Sequence, residues 1–279
     1  TRVITALAVG ALFLILFVIR ELISKRPILE FRVFKFDMFS LTTLINVIIT
    51  MAMFSGMILL PIFLQNVRGI SPMDSGLLLL PGALLMGVMS PVAGAVFDKI
   101  GARWLAVFGL LITTITSYEL SHLTLETTYN HMMWIYSARM FGMSFLMMPI
   151  QTAGLNQLPQ RLNAHGSAMS QTLRNVAGAL GTALMVTIFA NKAASHGKEL
   201  VMAAQIDPTD AANAAQLQQI GLESTVYGIN FSFEVATWMC LAAMVLAFFI
   251  RKTKPHAESE KAGARQAAPA VAKEPRSQP

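Results

Sequence analysis

Polar positions interrupt this chain at wide intervals and leave seven apolar runs, at about 3–20, 38–64, 75–97, 104–123, 133–158, 167–190 and 229–250. Each is long enough to cross a hydrocarbon core of roughly 30 Å as a helix. None alternates apolar and polar residues with the period of two that a barrel strand requires, and in lipid only helices and closed barrels satisfy every backbone group. The pattern predicts an all-α polytopic membrane protein with seven spans in this chain.

The stretches between the runs differ in kind. Residues 27–37, "PILEFRVFKFD", mix Phe and Leu with Glu, Arg and Lys too finely to span, and suit a segment lying in the membrane interface. The connection 191–228 is rich in Ala and Gln, with Asp207 to Asp210 offering a capped start for a short extramembrane helix that closes near Gly221. From Pro255 onward repeated Pro and scarce bulky apolar residues predict disorder. The chain thus divides into 1–37, a span with an interfacial linker, 38–250, a six-helix bundle, and 251–279, a tail. The six spans form two triplets, 38–123 and 133–250, and paired triplets of inverted topology build each half of many secondary transporters.

Composition agrees with the pattern: 54% of residues are hydrophobic and 13% charged, against about a quarter charged in soluble domains. Cations cluster on alternate connections. Arg20, Lys25, Arg26, Arg32 and Lys35, then Lys99 and Arg103, then Arg161, and finally Arg251, Lys252 and Lys254 mark cytoplasmic sides. The other connections hold Arg68, none over 119–132, and Lys192 with Lys198. This bias puts residue 1 outside and the C-terminus in the cytoplasm. It also accounts for the net charge of +6, so a nucleic-acid partner is not expected, and no basic motif with interleaved aromatics is present. The chain opens at Thr1, without an initiator Met, and enters a span almost at once, which reads as a fragment lacking its N-terminal part. A single cysteine, Cys240, excludes an internal disulfide and reads as a small buried hydrophobe.

Polar residues inside the runs are the candidates for function. In the sixth, Ser167, Gln171, Arg174, Gly178 and Gly181 recur at helical spacing, so one face carries small residues that admit a neighbouring helix and polar ones that must meet protein or water. Arg174 lies about eight residues, roughly 12 Å, from the cytoplasmic end. Two readings follow: a functional or gating contact, or a structural role as an ion pair or a partial snorkel. Arg139, nearer the outer end of the fifth run, divides in the same way between function and snorkelling to the outer interface. Pro149, with Gln151 and Asn156 after it, frees backbone groups that only protein or a wet cavity tolerates, and Pro61, Pro81 and Pro91 mark further potential breaks. In the second run Thr42, Asn46, Thr50, Met53 and Met57 share a face. With 18 Met and 17 Phe, side chains able to repack around varied ligands are abundant, although the same residues fill any membrane bundle. Glu234, on a stripe with Tyr227, Asn230 and Thr237, is either a proton or drug-cation carboxylate or a peripheral residue; Glu119 reads as interfacial. No zinc-ligand spacing, nucleophile elbow or phosphate-binding loop appears and the five histidines are scattered, so no enzyme and no metal site is expected.

The bridge "GAVFDKIGAR" between the third and fourth runs carries Gly94, Asp98, Lys99, Gly101 and Arg103. Read alone it is a tight turn with its cations toward the cytoplasm, Asp98 favouring the positive end of the next helix. Its spacing G-x-x-x-D-K-x-G-x-R resembles the cytoplasmic gating-loop signature of the major facilitator superfamily, with Val96 and Ala102 departing from it. "PIFLQNVRGISPMDSGLLLLPGAL" (61–84) and "GSAMSQTLRNVAGALGTAL" (166–184) resemble segments of its fourteen-helix drug:proton antiporters of the EmrB/QacA type, and the likeness covers about 27–252. The resemblance implies the superfamily's C-terminal six-helix bundle plus one preceding transmembrane helix, the last of two extra central helices. It implies a second and a fifth span bordering the cavity, so that Asn46, Thr50, Met53, Met57, Gln151 and Asn156 are cavity candidates. It also implies proton-coupled efflux of lipophilic, cationic drugs across a bacterial cytoplasmic membrane, with the proton gradient and no cofactor as energy source. The expected partners are the missing N-terminal half, membrane lipid, a small lipophilic substrate and, in a Gram-negative host, a periplasmic adaptor. A transporter of a single metabolite on the same scaffold, or a scaffold or sensor that transports nothing, are the alternatives.

Overall fold

The computed structural model describes residues 2–24, 29–206 and 213–251, and every regular element among them is helical. Lys25 and Arg26, the capped start at Asp207 to Asp210 and the tail from 252 lie outside the described residues. Seven long helices coincide with the seven apolar runs: α1 (Arg2–Ile23), α2 (Asp37–Ile62), α3 (Pro72–Ile100), α4 (Ala102–Leu120), α5 (Tyr129–Leu155), α6 (Asn163–Ala203) and α7 (Ala214–Ala247). Four helical stretches, 37–67, 72–100, 160–203 and 214–247, are long and apolar enough by themselves to cross a membrane.

α2 to α7 form one bundle. α5 packs against α3 and α4, α7 against α4 and α6, and α2 against α5, α6 and α7, whereas α1 lies along none of them. Small residues set the closest crossings. A Cβ added to Gly109 would stand 2.6 Å from the Gly142 carbonyl oxygen and one on Gly142 2.9 Å from the Gly109 carbonyl oxygen, so α4 and α5 meet backbone to backbone. Gly181 of α6 likewise faces the Met51 Cα of α2. The buried apolar residues fall into two main layers. Ile45, Ile49, Leu110, Met143, Leu146 and Ile150 fill the half of the bundle nearer Gly101, and Leu59, Phe63, Leu120, Met132, Ile229 and Phe233 the opposite half.

Several connections differ from the sequence-based expectation. The bridge between the third and fourth runs is almost entirely helical: α3 continues to Ile100, α4 starts at Ala102, and the reversal rests on Gly101 alone, at φ 86° and ψ 167°, a conformation closed to residues with a side chain. Asp98 therefore lies in the last turn of α3, not at the start of α4. The prolines break nothing. α3 runs through Pro81 and Pro91 and α5 through Pro149, while α2 passes Pro61 into a π turn over Phe63–Val67. The region 191–228 is not a loop carrying its own short helix. α6 extends to Ala203 and α7 begins at Ala214 and passes Gly221 unbroken, so the two helices continue as an antiparallel pair. His196 stacks on Tyr227 at 4.1 Å and the Lys192 ammonium lies 4.2 Å over the Phe231 ring.

The linker is anchored. Phe31–Lys35 forms a short 3₁₀ turn whose Val33, with Leu29, is buried against Phe39, Leu158, Leu162 and Met169. Phe36, which precedes α2, supplies no side-chain cap. Gln157, in the α5–α6 turn, accepts the Met38 and Phe39 N–H groups at 2.8 and 3.2 Å and satisfies the free donors of that helix start from across the bundle. At the other end Ser71 caps α3 by accepting the Asp74 N–H, its hydroxyl donating in return to the Asp74 carboxylate, with Pro72 at the first helical position.

Candidate functional site

A cavity of about 600 Å³ opens between α2, α5 and α6, lined by Thr50, Met53, Phe54, Met147, Gln171, Arg174, Asn175, Gly178, Ala179 and Thr182. Its volume falls within the range of small-molecule sites. The stripe on α6 builds it. Gly178 lets the Phe54 ring press against the helix, and Gly181 brings α2 close, so the polar members of the stripe, Gln171 and Arg174, face the space that remains. Arg174 is half-buried and its Nη1 donates to Gln151 Oε1 at 3.5 Å, the long limit of a hydrogen bond. Gln171 donates to Asn175 Oδ1 at 3.3 Å. Among the described residues no carboxylate pairs with Arg174.

Of the residues singled out in the sequence, Thr50, Met53, Gln171, Arg174 and Gly178 come together on this wall, and Gln151 joins them through Arg174. Asn46, on the same helix, is buried, Met57 points outward at 54% exposure, and Asn156 ends α5; these three lie off the cavity wall. Phe54, Met147, Asn175 and Thr182 were not foreseen. Asn175 and Thr182 follow Gln171 and Gly178 by one helical turn each, so the α6 stripe contained the signal for both. Phe54 and Met147 carry no sequence signal that separates them from packing residues.

Arg139 requires a correction. It does not snorkel: it is 0% exposed, in the polar layer between the two apolar clusters. Its guanidinium donates to Ser117 Oγ and to the Ala52 carbonyl oxygen, each at 2.7 Å, and lies 5.9 Å from the Phe233 ring, while its Nε has no partner. The small residues Ala52, Ser55 and Gly56 on α2 and Ser117 on α4 leave room for the side chain at the junction of α2, α4, α5 and α7, which is why it turns inward. All its partners are neutral. Glu234 takes the position of the peripheral one of its two readings. It is exposed on α7, which does not wall the cavity, on a stripe with Tyr227, Trp238 and Leu241, while Asn230 turns inward to bond the Leu123 backbone.

The five bridge residues separate. Gly94 and Asp98 line a second cavity of about 300 Å³ between α3 and α5, with Met148, Pro149 and Thr152 opposite. Asp98 and Lys99 are exposed, and Gly101 makes the reversal. Arg103 donates from Nε at 2.7 Å and from its terminal nitrogen to the Phe248 carbonyl oxygen, capping the end of α7. Among the described residues no cluster of His, Cys, Asp and Glu could hold a metal ion.

Comparison with known proteins bears on what this cavity serves. Residues 3–182 match the model of the Major Facilitator Superfamily. The MFS-type transporter YhcA of Bacillus subtilis (strain 168) is 44% identical over 277 residues, covering 90% of this chain and 52% of the relative. The lincomycin resistance protein LmrB of the same organism is 38% identical over 252 residues, 90% of this chain and 50% of the relative. The multidrug export protein EmrB of Escherichia coli (strain K12) is 28% identical over 224 residues, 79% of this chain and 43% of the relative. The chain spans about half the length of YhcA and LmrB, the more similar of these relatives.

Proposed function

Since this chain belongs to the major facilitator superfamily, we propose that it forms the C-terminal half of a proton-driven exporter of lipophilic drugs, working by alternating access in a bacterial cytoplasmic membrane. The observation that carries this reading is the cavity of about 600 Å³ between α2, α5 and α6, which joins the apolar walls of Met53, Phe54 and Met147 to the polar groups of Thr50, Gln171, Arg174 and Asn175. Pliable Met and Phe surfaces accommodate varied apolar bodies, and a few convergent polar groups fix orientation. LmrB is a lincomycin resistance protein and EmrB a multidrug export protein, and these relatives support a drug over a single metabolite.

In this reading residues 38–250 are one of two bundles that rock about a shared site, and residues 1–37 are a last central helix and its linker. The Gly101 end and the C-terminus face the cytoplasm. Protonation favours one facing state and drug the other, so each ligand shifts the other's affinity. This reading assigns the proton-carrying carboxylates to the other half, as the family resemblance implies; the cavity lining of this half holds none. The test is accumulation of fluorescent lipophilic dyes, one anionic, one neutral and one cationic, in an efflux-deficient bacterium expressing the complete transporter. Several-fold lower accumulation of at least one dye, restored by a protonophore, is expected. Accumulation of all three equal to empty vector, with the protein verified in the membrane, overturns the reading, and export that a protonophore leaves untouched overturns its proton drive.

A further inference from the structure

We propose that this cavity selects lipophilic substrates bearing an anionic group, such as a carboxylate, sulfonate or phenolate, and holds that group against Arg174. The proposal rests on the export reading and narrows its substrate class. Arg174 stands on the cavity wall with its guanidinium engaged only by a long contact to the neutral Gln151 among the described residues. None of the residues lining the cavity is acidic. A guanidinium in that position offers a planar fork of donors matched to a carboxylate or sulfonate, and its field is weakly screened where the walls are protein and lipid.

The surroundings point the same way. Arg139, on the other side of α2, is fully buried and answered by neutral acceptors alone, so a second uncompensated cation adds to the positive potential of this part of the bundle. None of the carboxylates on the bundle's described helices lines the cavity: Asp37, Asp74 and Glu119 lie at helix ends, Asp98 lines the other cleft, Glu199 and Glu223 lie on the α6–α7 extension, and Glu234 is exposed on α7. A cationic drug, the expectation drawn from the family resemblance, would have to sit beside Arg174 with no countercharge from this half. An anion with an apolar body meets the guanidinium at one end and Met53, Phe54 and Met147 at the other.

The experiment compares apparent affinities for an anionic probe, 1-anilinonaphthalene-8-sulfonate, and a cationic one, ethidium, in energised membrane vesicles carrying the complete transporter. The quantity read is the anion-to-cation affinity ratio. Wild type is expected to favour the anion. Arg174→Gln should lower the ratio by about tenfold or more, the worth of a charge-assisted bond, Arg174→Glu should lower it further, and Arg174→Lys should keep most of it. Thr182→Asp, which leaves Arg174 in place and adds a carboxylate to the wall, should move the ratio in the same direction, while Lys192→Gln, on the α6–α7 extension, should not move it. A ratio unchanged in the Gln, Glu and Asp variants, or both probes lost in parallel at normal membrane abundance, overturns the proposal. Wild type that transports ethidium but not the sulfonate overturns it too and leaves the export reading standing; transport of neither probe nor of a neutral dye removes the export reading itself.

Discussion

Arg139 shows how much one side chain's surroundings decide. A buried guanidinium without a counter-ion is costly to desolvate, and its neutral acceptors offset only part of that. Removing it orphans little: Ser117 Oγ also donates to the Thr113 carbonyl oxygen at 2.6 Å and Ser55 Oγ to that of Ala52 at 2.6 Å. The side chain's volume is another matter, since it fills the junction of four helices. Arg139→Ala is therefore expected to lose about 2–5 kcal/mol to the cavity it leaves, whereas Arg139→Met, of similar volume and no charge, should melt within a few degrees of wild type in detergent. Equal losses in both would show that the hydrogen bonds, and not the filled space, hold the junction. None of this was legible in the sequence. One acceptor of Arg139 is a main-chain carbonyl and the others are serines 84 and 22 positions away, which a linear pattern does not mark. Arg174 was legible because its companions lie on its own helix, at spacings of three and four.

At the scale of elements, apolar run length and helical period placed all seven helices, because a span in lipid must be long, apolar and internally hydrogen-bonded. What escaped was how helices end. The glycine bridge read as a tight turn, but that Gly101 alone makes the reversal, and that α6 and α7 continue unbroken, depend on a single backbone conformation and on packing between helices, His196 on Tyr227 among them, and neither leaves a period in the sequence. The start of α2 is the clearest case, capped by a residue more than a hundred positions away. Gln157→Ala removes the acceptor of two helix-start donors and should cost about 1 kcal/mol, as other cap losses do. Gln157→Glu keeps the acceptor and adds a charge that the helix dipole favours, so it should match or exceed wild type. Thermal melts of the two variants decide this, and a Glu variant as weak as the Ala variant would exclude the capping role. The α4–α5 crossing predicts a sharper effect. Gly109→Val drives a branched side chain into the Gly142 carbonyl and Leu146 and should destabilise by about 2 kcal/mol or more. Gly87→Ala on α3, where an added Cβ meets nothing within 4 Å, should be tolerated; losses of equal size at both sites would mean that the close crossing sets no constraint.

For the whole molecule, the cavity's incompleteness matters more than its contents. Gln171, Asn175 and Ala179 line it and are exposed, so α2, α5 and α6 bound it on one side only. Sites for drug-sized ligands enclose most of the ligand surface, and an open-sided wall cannot do so. A second bundle facing α6 would close the space, desolvate Arg174 further and raise its attraction for an anion in the same step. On the proposed two-bundle reading, binding and assembly would be linked: a ligand held by both halves would draw them together, and the joined halves would bind it more tightly than either alone. Produced alone in an efflux-deficient bacterium, residues 1–279 are expected to reach the membrane and give no drop in dye accumulation, whereas co-expression with the complementary half should restore protonophore-sensitive export. Anionic dye should also raise the yield of one half when the other is pulled down, and ethidium should do so less. Export by residues 1–279 alone, at the level of the joined halves, would mean that the cavity is closed by a second copy of this chain or works from one side, and the two-bundle reading would fall with it.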